Sequence, residues 1–252
     1  MLVYVPPHPL IKHWLAVARS AATPAPLFRG ALAELGRALL YELSRDGGFL
    51  PTLTGTVDAA GGGGESDVEF VDPTRPVVLV PVVRAGLPLL EQAAAVFPAT
   101  TTHHIAFART TSASAAAADA AAAAGAPPAA AAAGKKAAAA AASSSSPLTM
   151  TLDTLPPVLG PDDRVVIADA ALASGDTVMR AVAEVVARGA APWNVRVVCA
   201  LAAPPALKRL ADAYPGLCVY AACIDAEVDG GTGLLRPGFG DASLRAFGGG
   251  GQ

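Results

Sequence analysis

The sequence predicts an α/β fold, a mostly parallel sheet wound with helices on both faces. Three observations lead there. Residues 76–81, 165–167, 194–201 and 217–224 are continuous apolar runs, which suits strands covered on both sides. Between the last three of these runs lie two helical segments, 177–188 and 204–214, each with an apolar stripe. The connections are short, and a β–α–β–α–β order with short connections makes neighbouring strands parallel.

The elements follow in order. Pro6, Pro7 and Pro9 make a stiff, extended lead-in. Residues 10–20 read as a short helix with Leu10, Trp14, Val17 and Ala18 near one face, and Thr23-Pro24-Ala25-Pro26 breaks the chain. Residues 27–45 form a stronger helix, with Phe28, Leu32, Leu35, Leu39 and Leu43 on a broad apolar side. Residues 46–75 hold four successive glycines and few bulky side chains, so they read as a surface loop with a short strand near 68–71. Beyond the 76–81 strand, residues 88–96 read as a helix and 102–109 as a strand ending in Arg109. His103 and His104 point to opposite sides of such a strand, so no metal site is assigned to them. Residues 148–155 read as a strand and 156–163 as a turn, and Gly189 caps the 177–188 helix. The tail, 225–252, is glycine-rich, and its GxG lacks the strand-to-helix turn of a dinucleotide site.

Residues 112–146 are low-complexity, long alanine runs broken by glycine, proline, lysine and serine, with no apolar stripe to dock; they are expected to form a mobile insertion. Gly134-Lys135 is no phosphate loop, because Lys136 stands where a hydroxyl residue is needed and no strand precedes it. Formal net charge over 252 residues is −3, which excludes bulk attraction to nucleic acid or a membrane surface. The three cysteines, Cys199, Cys218 and Cys223, fall in apolar runs, as expected of buried thiols in a reducing compartment. No run is long and apolar enough for a transmembrane helix, and the first residues lack the pattern of a signal peptide.

Chemistry concentrates in residues 164–178, RVVIADAALASGDTV. A buried strand leads to a lone acid, Asp169, then a loop of small residues (Ala170, Ala171, Leu172, Ala173, Ser174, Gly175, Asp176, Thr177), then a helix. Loop N–H groups and the positive end of the helix converge there, which suits a phosphate. Asp169 is placed to accept from sugar hydroxyls, although the same strand–acid–loop–helix pattern also occurs in α/β proteins without a ligand. Arg84 follows the 76–81 strand, where it meets either an anion or a surface carboxylate.

Several blocks, in order, resemble the uracil phosphoribosyltransferase family, in its plant plastid form: MLVYVPPHPLIKHW, PVVRAG around Arg84, the strand ending in Arg109, VVIADAALASGDT, LAAPPAL and PGFGDASLRAFG. The resemblance spans nearly the whole chain apart from the alanine tract and the 61–64 glycines. It implies one type I phosphoribosyltransferase domain over 1–252, with N-terminal helices, a C-terminal hood, and the 112–146 insertion where the family has a flap. The implied reaction joins uracil to phosphoribosyl pyrophosphate, with Mg²⁺ held mainly through the substrate, giving UMP and pyrophosphate. Arg84 and Arg109 would steady the leaving pyrophosphate, Asp169 the ribose, and residues 170–177 the 5′-phosphate. Leu235, Gly240, Asp241 and Ala242 match positions that meet uracil, and Asp241 also the sugar-pyrophosphate side. Self-association, nucleotide binding including GTP, and a chloroplast location are implied as well, the cytoplasm being the alternative.

Ser174 replaces the family's threonine and keeps the hydroxyl, and four positions depart further from the family pattern. Ala170 replaces a proline, Asp176 a glycine, Leu244 an acid, and Thr110 follows Arg109 where an aspartate is common. A carboxylate beside a phosphate dianion is repulsive. Two readings follow: an active salvage enzyme, or a catalytically impaired relative kept as a binding or assembly subunit.

Overall fold

The computed structural model describes residues 1–58, 60, 64–109 and 148–248. In chain order the first half holds β1 (Leu2–Tyr4), α1 (Pro9–Arg19), α2 (Ala25–Ser44), β2 (Thr52–Asp58), β3 (Glu65–Val71), β4 (Val77–Pro81), α3 (Leu87–Leu90), β5 (Thr100–Thr102) and β6 (Ile105–Arg109). The second half holds β7 (Leu148–Asp153), β8 (Val165–Ala168), β9 (Ala171–Leu172), α4 (Asp176–Ala187), β10 (Val195–Ala202), α5 (Pro204–Ala213) and β11 (Cys218–Ile224). It ends with β12 (Glu227–Val228), β13 (Leu235–Arg236) and α6 (Ala242–Phe247).

The main sheet runs β1–β11–β10–β8–β4–β5 with every pairing parallel, and the short β9 continues alongside β10. Alternate strand residues point to opposite faces. Leu79, Val166, Val198 and Tyr220 meet α1, α2 and α3 in one apolar cluster, led by Ile11, Phe28, Leu32, Leu39 and Leu89. Val80, Ile167, Val197 and Val219 meet α4 and α5 in a second, with Val178, Val182, Ala206 and Leu210. Burial on both sides explains why these strands read as unbroken apolar runs, and the doubly wound architecture expected from them is present.

Several expectations need correction. The first residues add β1, an edge strand beside β11, where proline lead-in alone was expected. Three residues are too few for a periodic signal, and Pro6 and Pro7, lacking N–H donors, stop the strand. The expected 46–75 loop contains a full antiparallel hairpin, β2–β3, in register from Thr52↔Val71 to Asp58↔Glu65. Nearly all of it is exposed, and its alternation (Leu53, Gly55 and Val57 facing Val68 and Phe70) is short and broken by glycine, so it reads like a loop. The expected strand 102–109 is two strands. Its histidines form the corner at which the chain leaves the parallel sheet and begins the β6–β7 hairpin. There His103 N–H donates to the Leu79 carbonyl (2.8 Å), and His104 N–H to the Thr154 hydroxyl (2.7 Å). The 88–96 helix is broken into α3 and a 3-10 turn at Ala93–Ala95. The glycine-rich tail folds into the β12–β13 ribbon and α6. All three cysteines are free thiols, but only Cys199 is buried; Cys218 and Cys223 are partly exposed. The 112–146 insertion, its Gly134-Lys135, and Thr110 lie outside the described residues.

Candidate active site

The carboxyl ends of β4, β8, β10 and β11 bring four loops to one rim. Pro81 pairs with Ala168, and Val82 N–H donates to the Ala168 carbonyl (2.8 Å), so loop 82–86 lies against the loop that starts at Asp169. At Gly86 a β-carbon would stand 2.0 Å from that same carbonyl oxygen, an approach that only glycine permits. The Val83–Arg84 peptide is cis. Arg84 is exposed at the tip, and among the described residues its guanidinium makes no ion pair, so the surface-carboxylate alternative is not realised.

Asp169 follows β8, its N–H donating to the Val198 carbonyl (3.1 Å). The residue is only 9% exposed, and burial pushes its carboxyl up to about 7, against the opposing N–H of Ala170. Burial and the nearby Asp169 charge push the Cys199 thiol up too, which keeps it neutral. The Ala170 carbonyl accepts from Ala200 and Leu201 (both 3.1 Å), which ties the loop across β10.

At the far end of the loop Gly175 adopts φ +80° as the N-cap of α4, and it faces α5: a β-carbon there would meet Ala206 at 3.1 Å. Asp176 begins the helix, where negative charge is favoured. Its Oδ2 accepts from the Ser174 hydroxyl (2.9 Å) and from Arg109 (3.4 Å), and its Oδ1 from Arg209 of α5 (2.6 Å). Arg209 also donates to the Ser174 carbonyl (2.7 Å). The tip of β6, the phosphate-type loop and α5 are thus joined by one charge cluster.

The C-terminal ribbon forms a hood beside this rim. Leu235, Phe239, Ala242 and Ala246 share an apolar cluster with Ala168, Ala170, Ala200 and Ala203. Gly240 is exposed, with φ +76°. The Asp241 carboxylate accepts from Leu244 N–H (3.0 Å) and so caps α6, while the Leu244 side chain is exposed. Arg19 forks onto the buried Asp225 (2.9 and 2.5 Å) and donates to the Gly238 carbonyl (2.9 Å); Gly238 N–H returns to Asp225 (2.9 Å). Arg245 donates to the Ala18, Ser20 and Phe239 carbonyls and lies 4.2 Å over the Phe28 ring.

The uracil phosphoribosyltransferase family profile matches residues 5–249. The chain is 40% identical to the uracil phosphoribosyltransferase of Nicotiana tabacum, with 98% of this chain and 94% of that one covered. It is 42% identical to the uracil phosphoribosyltransferase of a Nostoc strain, at 98% and 97% coverage. An Arabidopsis thaliana relative named as the chloroplastic form is 40% identical, over 98% of this chain and 71% of that protein. Among solved structures, the AQ2163 protein of Aquifex aeolicus superimposes with a TM-score of 0.75 at 26% identity, with 98% of both chains covered. The chain belongs to the uracil phosphoribosyltransferase family.

Its sheet, helices and hood are the type I phosphoribosyltransferase fold. Of the positions singled out from sequence, the loop bearing Arg84 lies against the one that starts at Asp169, Arg109 reaches Asp176, and Leu235 and Ala242 pack in one cluster with Ala168 and Ala170, while Gly240 is exposed and Asp241 caps α6. Sequence reading missed Arg209, Arg19, Asp225 and Arg245. Arg209 carried one usable signal. Helices following adjacent parallel strands begin side by side, so an acid at the start of one invites a cation on the next. The other three act between segments far apart in the chain.

Proposed function

We propose the following roles for this chain in its family's reaction, in which uracil and phosphoribosyl pyrophosphate give UMP and pyrophosphate. Breaking the bond at ribose C1 builds positive charge on the sugar and negative charge on the departing diphosphate. Arg84, exposed and without a carboxylate partner among the described residues, meets that diphosphate with charge-assisted hydrogen bonds; Arg109, at the end of β6, assists from the side. Asp169 accepts from the ribose hydroxyls. Its carboxyl, poised near neutrality, offsets the charge developing on the sugar once ionised. Residues 170–177 take the 5′-phosphate, with Ser174 and Thr177 supplying hydroxyls and the start of α4 its N–H groups. The hood at Leu235, Gly240, Asp241 and Ala242 reads the uracil edge through backbone groups, and a base with the wrong polar edge leaves them unpaired.

Mg²⁺ prefers oxygen ligands and keeps several waters, so it suits a substrate-borne site better than a protein cage. Among the described residues no group of three His, Cys, Asp or Glu side chains is gathered for a metal, and Asp169 and Asp241 are the carboxylates that would face a diphosphate-bound ion. When bound, the ion neutralises charge on the leaving group. We read the chain as one domain. Exposed Leu10, Leu27 and Tyr41 on the first two helices support a homodimer or higher oligomer, checked by light scattering. The plant relative's chloroplast form supports a plastid location, and GTP belongs in the assay as an effector.

The carrying observation is a buried Asp169 and an Arg84 with no ion pair among the described residues, on loops that leave neighbouring strands at one rim. The test is UMP formation from labelled uracil, phosphoribosyl pyrophosphate and Mg²⁺ by the folded chain. Turnover abolished by Asp169→Asn and Arg84→Ala supports these roles. A folded chain that binds phosphoribosyl pyrophosphate without turnover supports the assembly-subunit reading instead.

A further inference from the structure

Asp176 was the departure that most threatened phosphate binding, and its surroundings reverse that expectation. Its carboxylate gathers a hydroxyl from Ser174 and guanidinium groups from Arg109 and Arg209. These are the donors a phosphate monoester would seek at the same helix start. The carboxylate is shielded, at 14% exposure, and the Arg209 side chain is itself only 26% exposed. Arg209 is held in place a second time by the Ser174 carbonyl, and α5 packs directly on Gly175. A guanidinium has five donors, so these two bonds leave others to turn toward a ligand in the loop.

From this geometry we infer that Arg209 is a 5′-phosphate-binding residue, and that Asp176 is an internal anion holding the subsite's place until the phosphate displaces it. The inference rests on the assignment of residues 170–177 to the 5′-phosphate. Charge supports the exchange. Among the described residues, two arginines and one carboxylate leave the cluster at net +1, and a phosphate dianion added to them without displacement would leave −1. Swinging the carboxylate toward solvent hands both cations to the ligand. Asp176 therefore competes with substrate rather than destroying its site, and Arg209 provides the cation that makes the exchange possible.

The test is calorimetric binding of two separate probes, ribose 5-phosphate and inorganic pyrophosphate, to the full chain and its variants, each checked for a cooperative unfolding transition. Arg209→Ala is expected to weaken ribose 5-phosphate about tenfold, with pyrophosphate little affected. Arg209→Lys, which keeps the charge, recovers part of the loss. Asp176→Asn is expected to tighten ribose 5-phosphate about threefold or more, because the competing charge is gone. The deciding variant is Arg209→Ala made in the Asp176→Asn background. If Arg209 binds phosphate, affinity falls there as well. If it falls only when Asp176 is present, Arg209 is a mere counter-ion and the inference is overturned. Ser174→Ala and Asp169→Asn serve as the reference. Should both bind ribose 5-phosphate like the parent, the phosphate assignment itself fails. Should both lose binding while Arg209→Ala does not, only this inference fails. In turnover, the Arg209→Ala loss is expected to fall on the KM for phosphoribosyl pyrophosphate more than on kcat.

Discussion

Loops 82–86 and 169–177 leave neighbouring parallel strands at the same rim, yet they manage charge in opposite ways. Arg84 ends in water with no carboxylate partner among the described residues, so under its proposed role an incoming diphosphate would meet a cation ready to bind. In the second loop charge is already answered or suppressed: Asp176 by two arginines, Asp169 by burial that pushes its carboxyl up to about 7. The first loop is pre-organised for an anion by having nothing to give up. Under the proposed roles, the second would exchange partners or change protonation on holding the sugar phosphate, so that one half of the substrate would be met by standing attraction and the other by displacement.

The sharpest way to break that contrast is Arg84→Ala. Turnover is expected to fall by about a hundredfold to a thousandfold, the cost of removing a donor aimed at developing charge, with no change in melting temperature. A drop in thermal stability would mean that Arg84 holds the fold and the contrast is false. Gly86→Ala comes next. Its β-carbon would strike the Ala168 carbonyl, so a loss of about 3 kcal/mol in denaturant unfolding is expected, with turnover falling as the two loops are pushed apart.

Asp169→Asn tests the suppressed side. The folded carboxyl titrates above its ordinary value, so its share of stability is complete below about pH 4 and is lost as the pH rises through about 7. The amide cannot ionise. The variant should therefore be more stable than the parent above that range, by on the order of 2 kcal/mol, and show a flatter stability profile while losing turnover. Equal profiles would mean that Asp169 is solvated. The smallest effect belongs to Asp241→Ala, which removes the cap of α6. About 1 kcal/mol of stability should go, measured by chemical unfolding, together with weaker uracil binding if the hood reads the base.

The hood shows why part of the site stayed hidden in the sequence. Its residues Leu235, Gly240 and Ala242 were singled out by matching blocks to a family, and nothing in their own spacing marks them. What holds the hood is Arg19 on Asp225 and Arg245 on Ala18 and Ser20, pairs that span most of the chain, with Arg245 also on nearby Phe239. A charged residue carries no local mark of its distant partner. The β2–β3 hairpin was hidden for a different reason: its short alternation, Leu53-Gly55-Val57 and Val68-Phe70, stays exposed beside a run of glycines, so it has the composition of a surface loop.

By itself the sequence determined the parallel core, because strands buried on both faces must be apolar throughout and helices facing them must carry a stripe. It also determined the family and the loop 169–177, since a small-residue turn between a buried strand and a helix is a local pattern. Tertiary structure alone decided the state of each charge. Arg84 stands unpaired, Asp169 sits close to neutrality, and Asp176 is enclosed by Arg109 and Arg209, because protonation and pairing depend on burial and on neighbours from other segments.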